Sequence, residues 1–497
     1  MEYTAGILMP ISALPSPYGI GTLGEEAFRF VDFLHSTGCK VWQVLPLQPT
    51  SFGNSPYSSC ASGVFNPYFI DLDLLHKEGL LEIEDYRDLN WGTDPRRVDY
   101  GKQYILRKQV LKKAFARFDR RNAKWKSFLK EEKYHEFACF MALKESFGGA
   151  SCDRWGKFAE YDEEAVGAFE LEHREEVEFW QFTQYLFLDQ WKKLKQYANA
   201  QGIKIMGDMP IYVARDSVET WKYKWDLFQL DDAGNLISQA GVPPDAFSSD
   251  GQLWGNPVYC WREMGEDGYR WWHTRINDAL ECYDILRIDH FIGFVRYYSI
   301  PIASKTAKRG KWRRGPGAKL FRKFKNAPIV AEDLGLVTEQ IRKEIDKTGY
   351  PGMKILQFAF DGNPGNEHKP SNYTENFVAY TGTHDNETLL TRISNIKGEE
   401  RKRLVSDLKT ECDALGVKCS VKTSKDICRS IIELLYACKA RMVILPMQDA
   451  LYMGANARMN APSTVSDSNW SFRFIGEDFS DALRTRLLSL ATRYKRI

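Results

Sequence analysis

No Cys-x-x-Cys pair occurs in the chain, although it has ten cysteines, at positions 39, 60, 139, 152, 260, 282, 412, 419, 428 and 438. That scatter suggests neither a zinc ribbon nor a dithiol redox motif, and single thiols in a chain of this size fit a reducing cytosol. The eight histidines form no His-Glu-x-x-His or x-His-x-His pattern, which argues against a catalytic metal. No apolar run approaches the roughly 20 residues of a membrane span. The start, Met1-Glu2-Tyr3-Thr4-Ala5-Gly6, has neither a basic n-region nor a long apolar segment. The expectation is a soluble, cytoplasmic protein with no membrane partner. An excess of one charge is missing too, since 68 Lys and Arg against 66 Asp and Glu leave a formal net charge of +2. Near-neutrality argues against a polyanionic partner. The one basic run, 305–325, holds ten Lys or Arg and no acid. A nucleic-acid face and a solvated loop and helix face would both look like this, and the neutral whole favours the second. Low-complexity linkers and internal repeats are absent as well, so one folded unit carrying insertions is favoured over separate domains.

What is present is length and regular alternation. At 497 residues and 57.3 kDa the chain can bury a large core. Its 24 Tyr, 14 Trp and 29 Phe supply that core first, and some of them the flat faces on which sugar rings stack. Eight strand-like runs follow one another, at 6–10, 41–46, 203–209, 285–288, 329–331, 354–360, 377–380 and 442–446. Helical patterns lie between most of them: 25–38 carries Phe28, Val31 and Leu34 at helical spacing and stops at Gly38. The stretches 180–202 and 338–349 repeat that logic. Alternating strands and helices imply a parallel sheet, and eight strands imply an α/β fold of the closed (β/α)8 TIM-barrel type. The second and third runs lie more than 150 residues apart, far beyond an ordinary connection. Residues 72–89 and 102–132 read as charged amphipathic helices, so a helical insertion is expected at about 70–180. A second, loop-rich excursion at 214–283 holds much Trp, Gly and Pro, and a third at 394–439 is helical and charged. The expected organisation is therefore a single catalytic barrel domain over 1–497 with three insertions.

Three of the apolar runs end in acids: Ile285-Leu286-Arg287-Ile288-Asp289-His290, Ile329-Val330-Ala331-Glu332-Asp333 and Val378-Ala379-Tyr380-Thr381-Gly382-Thr383-His384-Asp385-Asn386. Buried parallel strands read as continuous apolar runs, and acids at their carboxyl ends project into the barrel mouth. Such acids are equipped to break a glycosidic bond. Retaining glycosidases need one carboxyl as nucleophile and one as acid/base, in environments that differ. Asp289 fits the nucleophile, because Arg287 lies two residues away on the same strand face and would hold it ionised. Glu332 fits the acid/base, while Asp333 would face the other way, toward structure. Asp385 would grip sugar hydroxyls, with His384 as hydrogen-bond partner. An acid at a strand end also serves as an N-cap or loop anchor, and it is the convergence of three that carries the functional reading. His290, His384 and Asp385 could also be read as metal ligands, and this alternative is disfavoured by the missing histidine motifs.

At these residues the chain resembles the 4-α-glucanotransferases, the amylomaltase or disproportionating-enzyme family. Further matches are Asn54-Ser55-Pro56-Tyr57-Ser58, Gly207-Asp208-Met209-Pro210-Ile211-Tyr212-Val213, Gly241-Val242-Pro243-Pro244-Asp245 and Gly251-Gln252-Leu253-Trp254-Gly255-Asn256-Pro257. They extend over nearly the whole chain, to Asn469-Trp470. The resemblance implies an α-amylase-like barrel with no separate C-terminal β-domain, and a covalent β-glucosyl-enzyme intermediate. It implies transfer of an α-1,4-glucan segment to the 4-hydroxyl of glucose, maltose or a longer glucan, with no metal or organic cofactor. Carried over by motif, Asp289 is the nucleophile, Glu332 the acid/base and Asp385 the transition-state stabiliser. Arg287 and His384 bind around the cleavage point, Tyr57 gives an aromatic face there, with Ser55 beside it, and Asp208 contacts a hydroxyl. The segment 241–257 resembles a loop arching over the acceptor side, with Asp245, Phe247, Gln252 and Trp254 as sugar contacts. Asn460 and Pro462, in Arg458-Met459-Asn460-Ala461-Pro462, are further contacts on the donor side. Two departures fall near the last strand: Ser463 stands where the family commonly has Gly, and Ser471-Phe472-Arg473 follows Trp470 where a second Trp is usual. The expected partners are α-1,4-glucans and maltooligosaccharides, without nucleic acid, for a monomer or weak homodimer. The alternative reading is an α-1,4-glucan hydrolase of amylase type.

Overall fold

The computed structural model describes residues 3–244, 248–335 and 337–497, apart from the side chain of Phe52. Eight parallel strands form one sheet: β1 (Thr4–Leu8), β2 (Val41–Gln43), β3 (Lys204–Met209), β4 (Ile285–Ile288), β5 (Ile329–Ala331), β6 (Gly352–Ile355), β7 (Phe377–Tyr380) and β8 (Met442–Pro446). Their order is β6-β7-β8-β1-β2-β3-β4-β5. At the seam between β5 and β6 the Ala331 amide donates to Pro351 O at 2.9 Å. The Met353 amide donates to Asp333 Oδ1 at 2.7 Å. The sheet thus curls into a (β/α)8 barrel, the expected fold. Gly352 sits where a Cβ would lie 2.5 Å from Asp333 Oδ2, so only glycine lets that carboxylate reach across the seam.

The strands are short and buried throughout, as parallel barrel strands must be. Trp42 on β2 is fully buried and donates its Nε1 to Met9 O at 2.7 Å. The helix Glu25–Ser36 follows β1, buries Ala27, Phe30, Val31, Phe33 and Leu34, and carries Glu25 and Glu26 in its first turn, where the macrodipole favours them. The helix Glu339–Thr348 is capped by the Thr338 hydroxyl and closed by Gly349 at φ +76°.

Several boundaries differ from the sequence reading. β1 ends at Leu8 and β2 at Gln43, short of Pro10 and Pro46, which have no amide to give to a ladder. β6 starts at Gly352 and turns at Leu356 into a 3-10 helix, because the apolar run continues beyond the paired residues. Only Leu72–Lys77 of the helix expected at 72–89 forms, with Gly79 at φ +75° just past its end.

Between β2 and β3 lie the helices Lys108–Arg117, Glu132–Ser146, Glu163–Glu172 and Arg174–Ala200. Between β7 and β8 lie Gly398–Leu415 and Ser424–Ala437. The excursion after β3 is more ordered than a loop. It supplies the strands Ser238–Val242 and Gln252–Pro257 to a four-stranded antiparallel sheet completed by Arg296–Pro301 and Lys311–Arg314. The basic run therefore ends up partly as an edge strand, with Arg296 lying over the Trp312 ring at 4.2 Å. No helix among the described residues is long and apolar enough to cross a membrane, and all ten cysteines are free.

Candidate active site

Asp208 on β3 and Arg287 on β4 are register partners in neighbouring strands, so their side chains point the same way, into the barrel mouth. Arg287 Nη1 lies 2.6 Å from both carboxylate oxygens of Asp208, and its Nη2 lies 2.9 Å from Asp289 Oδ1. Its Nε donates to Met353 Sδ at 3.4 Å. Burial disfavours the guanidinium's charge, but Asp208 and then Asp289 outweigh it and raise its pKa well above the ordinary value. One rigid cation thus fixes two acids on different strands, which the planar fork of Arg can do and a point charge cannot. The Tyr57 hydroxyl donates to Asp208 Oδ2 at 2.8 Å.

Glu332 follows β5 and is 7% exposed. Its Oε2 accepts from the His290 amide and its Oε1 from the Leu334 amide, both at 2.7 Å. Burial, then the charge of Asp289, pushes this carboxyl up to about 8, with Arg287 acting against them. His290 takes the left-handed conformation, φ +48°, at a cost of about 1 kcal/mol for a residue with a Cβ. Burial lowers the pKa of its imidazole, with the charge of Asp289 acting against it, and the ring meets Trp254 edge-on at 4.9 Å. Asp289 and Glu332 are therefore linked through a single backbone step, one facing a cation and the other shut away from solvent.

Asp385 comes from the loop after β7. Asn460 Nδ2 donates to its Oδ1 at 2.6 Å, while His384 Nε2 stands at 3.5 Å. Arg458 ties the two loops together, donating to Asp385 O at 2.9 Å and to Asn460 O at 2.7 Å. Beneath them Asp449 is buried and accepts from the Thr381 hydroxyl at 2.6 Å and the Leu389 amide at 2.7 Å. The Tyr57 and His384 rings stack at 5.0 Å and 17°, with Trp470 5.7 Å from each. They form an aromatic wall beside the acids.

The remaining sequence-chosen residues divide. Ser55 Oγ accepts from the Tyr57 amide at 3.2 Å and so orients that ring's backbone. Gln252 and Trp254 lie on one arm of the antiparallel hairpin, where Trp254 Nε1 donates to Gln252 Oε1 at 3.1 Å. Pro462 is exposed on its loop. Asp245 and Phe247 lie outside the described residues. Arg458, Asp449 and the His290 amide were missed as individual contributors. Arg458 stood in a recognised motif, whereas the other two act through a buried anchor and a backbone group, which side-chain chemistry does not announce. Among the described residues no three donors of this site converge closely enough to share one ion.

A family model described as 4-alpha-glucanotransferase matches residues 9–477. A 4-alpha-glucanotransferase of Clostridium butyricum is 41% identical over 98% of this chain and all of its own length. One of Streptococcus pneumoniae serotype 4 is 40% identical over 99% of this chain and 97% of its own. The solved amylomaltase from Streptococcus agalactiae, in complex with acarbose, superposes with a TM-score of 0.94 at 41% identity, covering both chains completely.

Proposed function

The chain belongs to the 4-alpha-glucanotransferase family, and on that premise we propose that Asp289, Glu332 and Asp385 transfer α-1,4-glucan segments by a retaining double displacement. Asp289 attacks the anomeric carbon while Glu332 gives its proton to the departing glycosidic oxygen, leaving a β-glucosyl ester on Asp289. The 4-hydroxyl of an incoming glucan, glucose or maltose then gives its proton to Glu332 as its oxygen displaces the ester, restoring both carboxyl groups. The observation that carries this reading is the contrast between the two acids. Glu332, at about 8, holds a proton at neutral pH, whereas Asp289 sits against the guanidinium of Arg287. A buried, protonated carboxyl beside one that faces a guanidinium provides the acid and the nucleophile of such a reaction.

Asp385, clamped by Asn460, grips hydroxyls of the reacting sugar, and the Tyr57–His384–Trp470 wall stacks against its face. The hairpin with Gln252 and Trp254 stands beside His290 and shields the ester from water while an acceptor is held, which favours transfer over hydrolysis. We read the chain as one barrel domain over 1–497 whose insertions, at about 70–180, 214–283 and 394–439, dress that mouth. It works as a monomer or weak homodimer, and its free thiols fit the cytoplasm.

Incubation of purified protein with maltotriose tests the reading. Glucose together with a ladder of longer maltooligosaccharides is expected; glucose and maltose alone would mean hydrolysis and overturn it. Asp289→Asn and Glu332→Gln should each lower turnover by about 10⁴-fold or more with the fold intact, and wild-type-like turnover in either would refute the assignment of roles.

A further inference from the structure

Outside the barrel mouth, three residues of different chemistry converge in the helical insertion between β2 and β3. His135 and Cys139 are one turn apart on the helix Glu132–Ser146 and share a face, and Glu170 projects from the helix Glu163–Glu172. Their donor atoms lie within 4.8 Å of one another. His135 Nε2 is 2.7 Å from Glu170 Oε1 and 3.7 Å from Cys139 Sγ. We propose that His135, Cys139 and Glu170 bind a divalent transition-metal ion of the zinc type, with solvent in the fourth position.

The spacing of the three donors admits an ion after one side-chain adjustment. Tetrahedral zinc places nitrogen and sulfur ligands about 3.6 Å apart, and nitrogen and oxygen ligands about 3.4 Å apart. The nitrogen–sulfur spacing is already close to that value, and Glu170 has to draw back by about 0.7 Å to admit the ion. It is free to do so, because the side chains of His135 and Glu170 are 35% and 33% exposed. The same exposure leaves an entry path and room for a water ligand. Cys139 itself is buried, so the sulfur side of the site is closed. Imidazole with thiolate selects zinc-like ions over magnesium or calcium, which take oxygen.

Charge balances as well. Binding displaces the Cys139 proton to solvent, and thiolate plus carboxylate neutralise a dication. The neighbouring Glu136 is already paired with Lys222 at 2.5 Å. A thiol coordinates as the thiolate, so one proton leaves for each ion bound. The site would staple two insertion helices together and has no part in the chemistry at Asp289.

The test is titration of the chelator-treated full-length protein with Co²⁺, followed by displacement with Zn²⁺. One equivalent of Co²⁺ should give a sulfur-to-cobalt charge-transfer band, accompanied by release of one proton and lost on Cys139→Ser. Glu170→Gln, a change at a partly exposed position, keeps the thiol in place and should weaken binding at least about tenfold. No band in the folded protein, a band that survives in Cys139→Ser, or undiminished affinity in Glu170→Gln would each overturn the proposal, leaving a plain helix-to-helix hydrogen bond.

Discussion

With Glu332 replaced by Gln, the protein should gain stability relative to wild type as pH rises from about 4.5 to about 8. The folded state holds the Glu332 proton up to about 8, against 4.5 for the free side chain. Between those values the native state carries a proton that the unfolded state has lost. Stability therefore falls as pH rises, by about 1.4 kcal/mol per pH unit for this one group. The raised carboxyl contributes fully below about pH 4.5, and its contribution is gone once pH passes about 8. Glutamine mimics the protonated acid: its carbonyl can accept one of the two amide hydrogen bonds from His290 and Leu334, and it has no proton to lose. Other ionisable groups are common to both proteins and cancel in the difference. Urea unfolding of wild type and Glu332→Gln at pH 6 and pH 7 should thus show a difference that moves by about 1.4 kcal/mol in favour of the variant. In wild type, kcat/KM for maltotriose should fall above about pH 8, as the acid is lost from the free enzyme. A stability difference independent of pH, or moving the other way, would mean that Glu332 is ionised throughout, and its role as the acid would fail.

Three other outcomes are expected. Arg287→Lys cannot span Asp208 and Asp289 together and leaves a buried acid without its partner, so it should destabilise by about 3–5 kcal/mol in thermal or urea melts. Asn460→Ala removes a 2.6 Å bond to Asp385; such bonds to charged groups contribute about 1.5–3 kcal/mol, so kcat should fall about 10–100-fold. An unchanged kcat would remove Asn460 from the site. Ser463 sits at φ +63° on an exposed loop, and Ser463→Gly should raise stability by up to about 1 kcal/mol, read as a higher melting temperature.

Much of this was legible because the barrel writes its strands as apolar runs and its chemistry at their ends. The runs before Asp289, Glu332 and Asp385 gave β4, β5 and β7 to the residue, because each is a short apolar stretch of three or four residues with an acid at or just beyond its end. The antiparallel sheet was illegible for the opposite reason. Lys311-Trp312-Arg313-Arg314 reads as a charge run, and Gln252-Leu253-Trp254-Gly255-Asn256-Pro257 contains Gly and Pro that strands usually avoid. Both are held by pairing with Arg296–Pro301 and Ser238–Val242, a tertiary fact with no local pattern. The Ser463 departure, visible only as an oddity in sequence, acquires a cause once its backbone is seen in the left-handed region that suits Gly. His135 and Cys139 show helical spacing, but Glu170 joins them only through the packing of a separate helix.

The placement of β1 between β2 and β8 also governs when the molecule becomes competent during its synthesis. Tyr57 and Asp208 are 151 positions apart, and Asp385 and Asn460 are 75 apart. A chain emerging from the ribosome exposes Asp289 and Glu332 long before Asn460 exists and before β8 can take its place beside β1. Contacts of such long sequence separation form late. The two reacting carboxyl groups therefore wait, in an unclosed sheet, for the segment that begins at Met442. A polypeptide interrupted before Met442 has the nucleophile and the acid yet neither the strand that closes the sheet beside β1 nor the clamp on Asp385, so incomplete products are silent instead of cutting glucans without control.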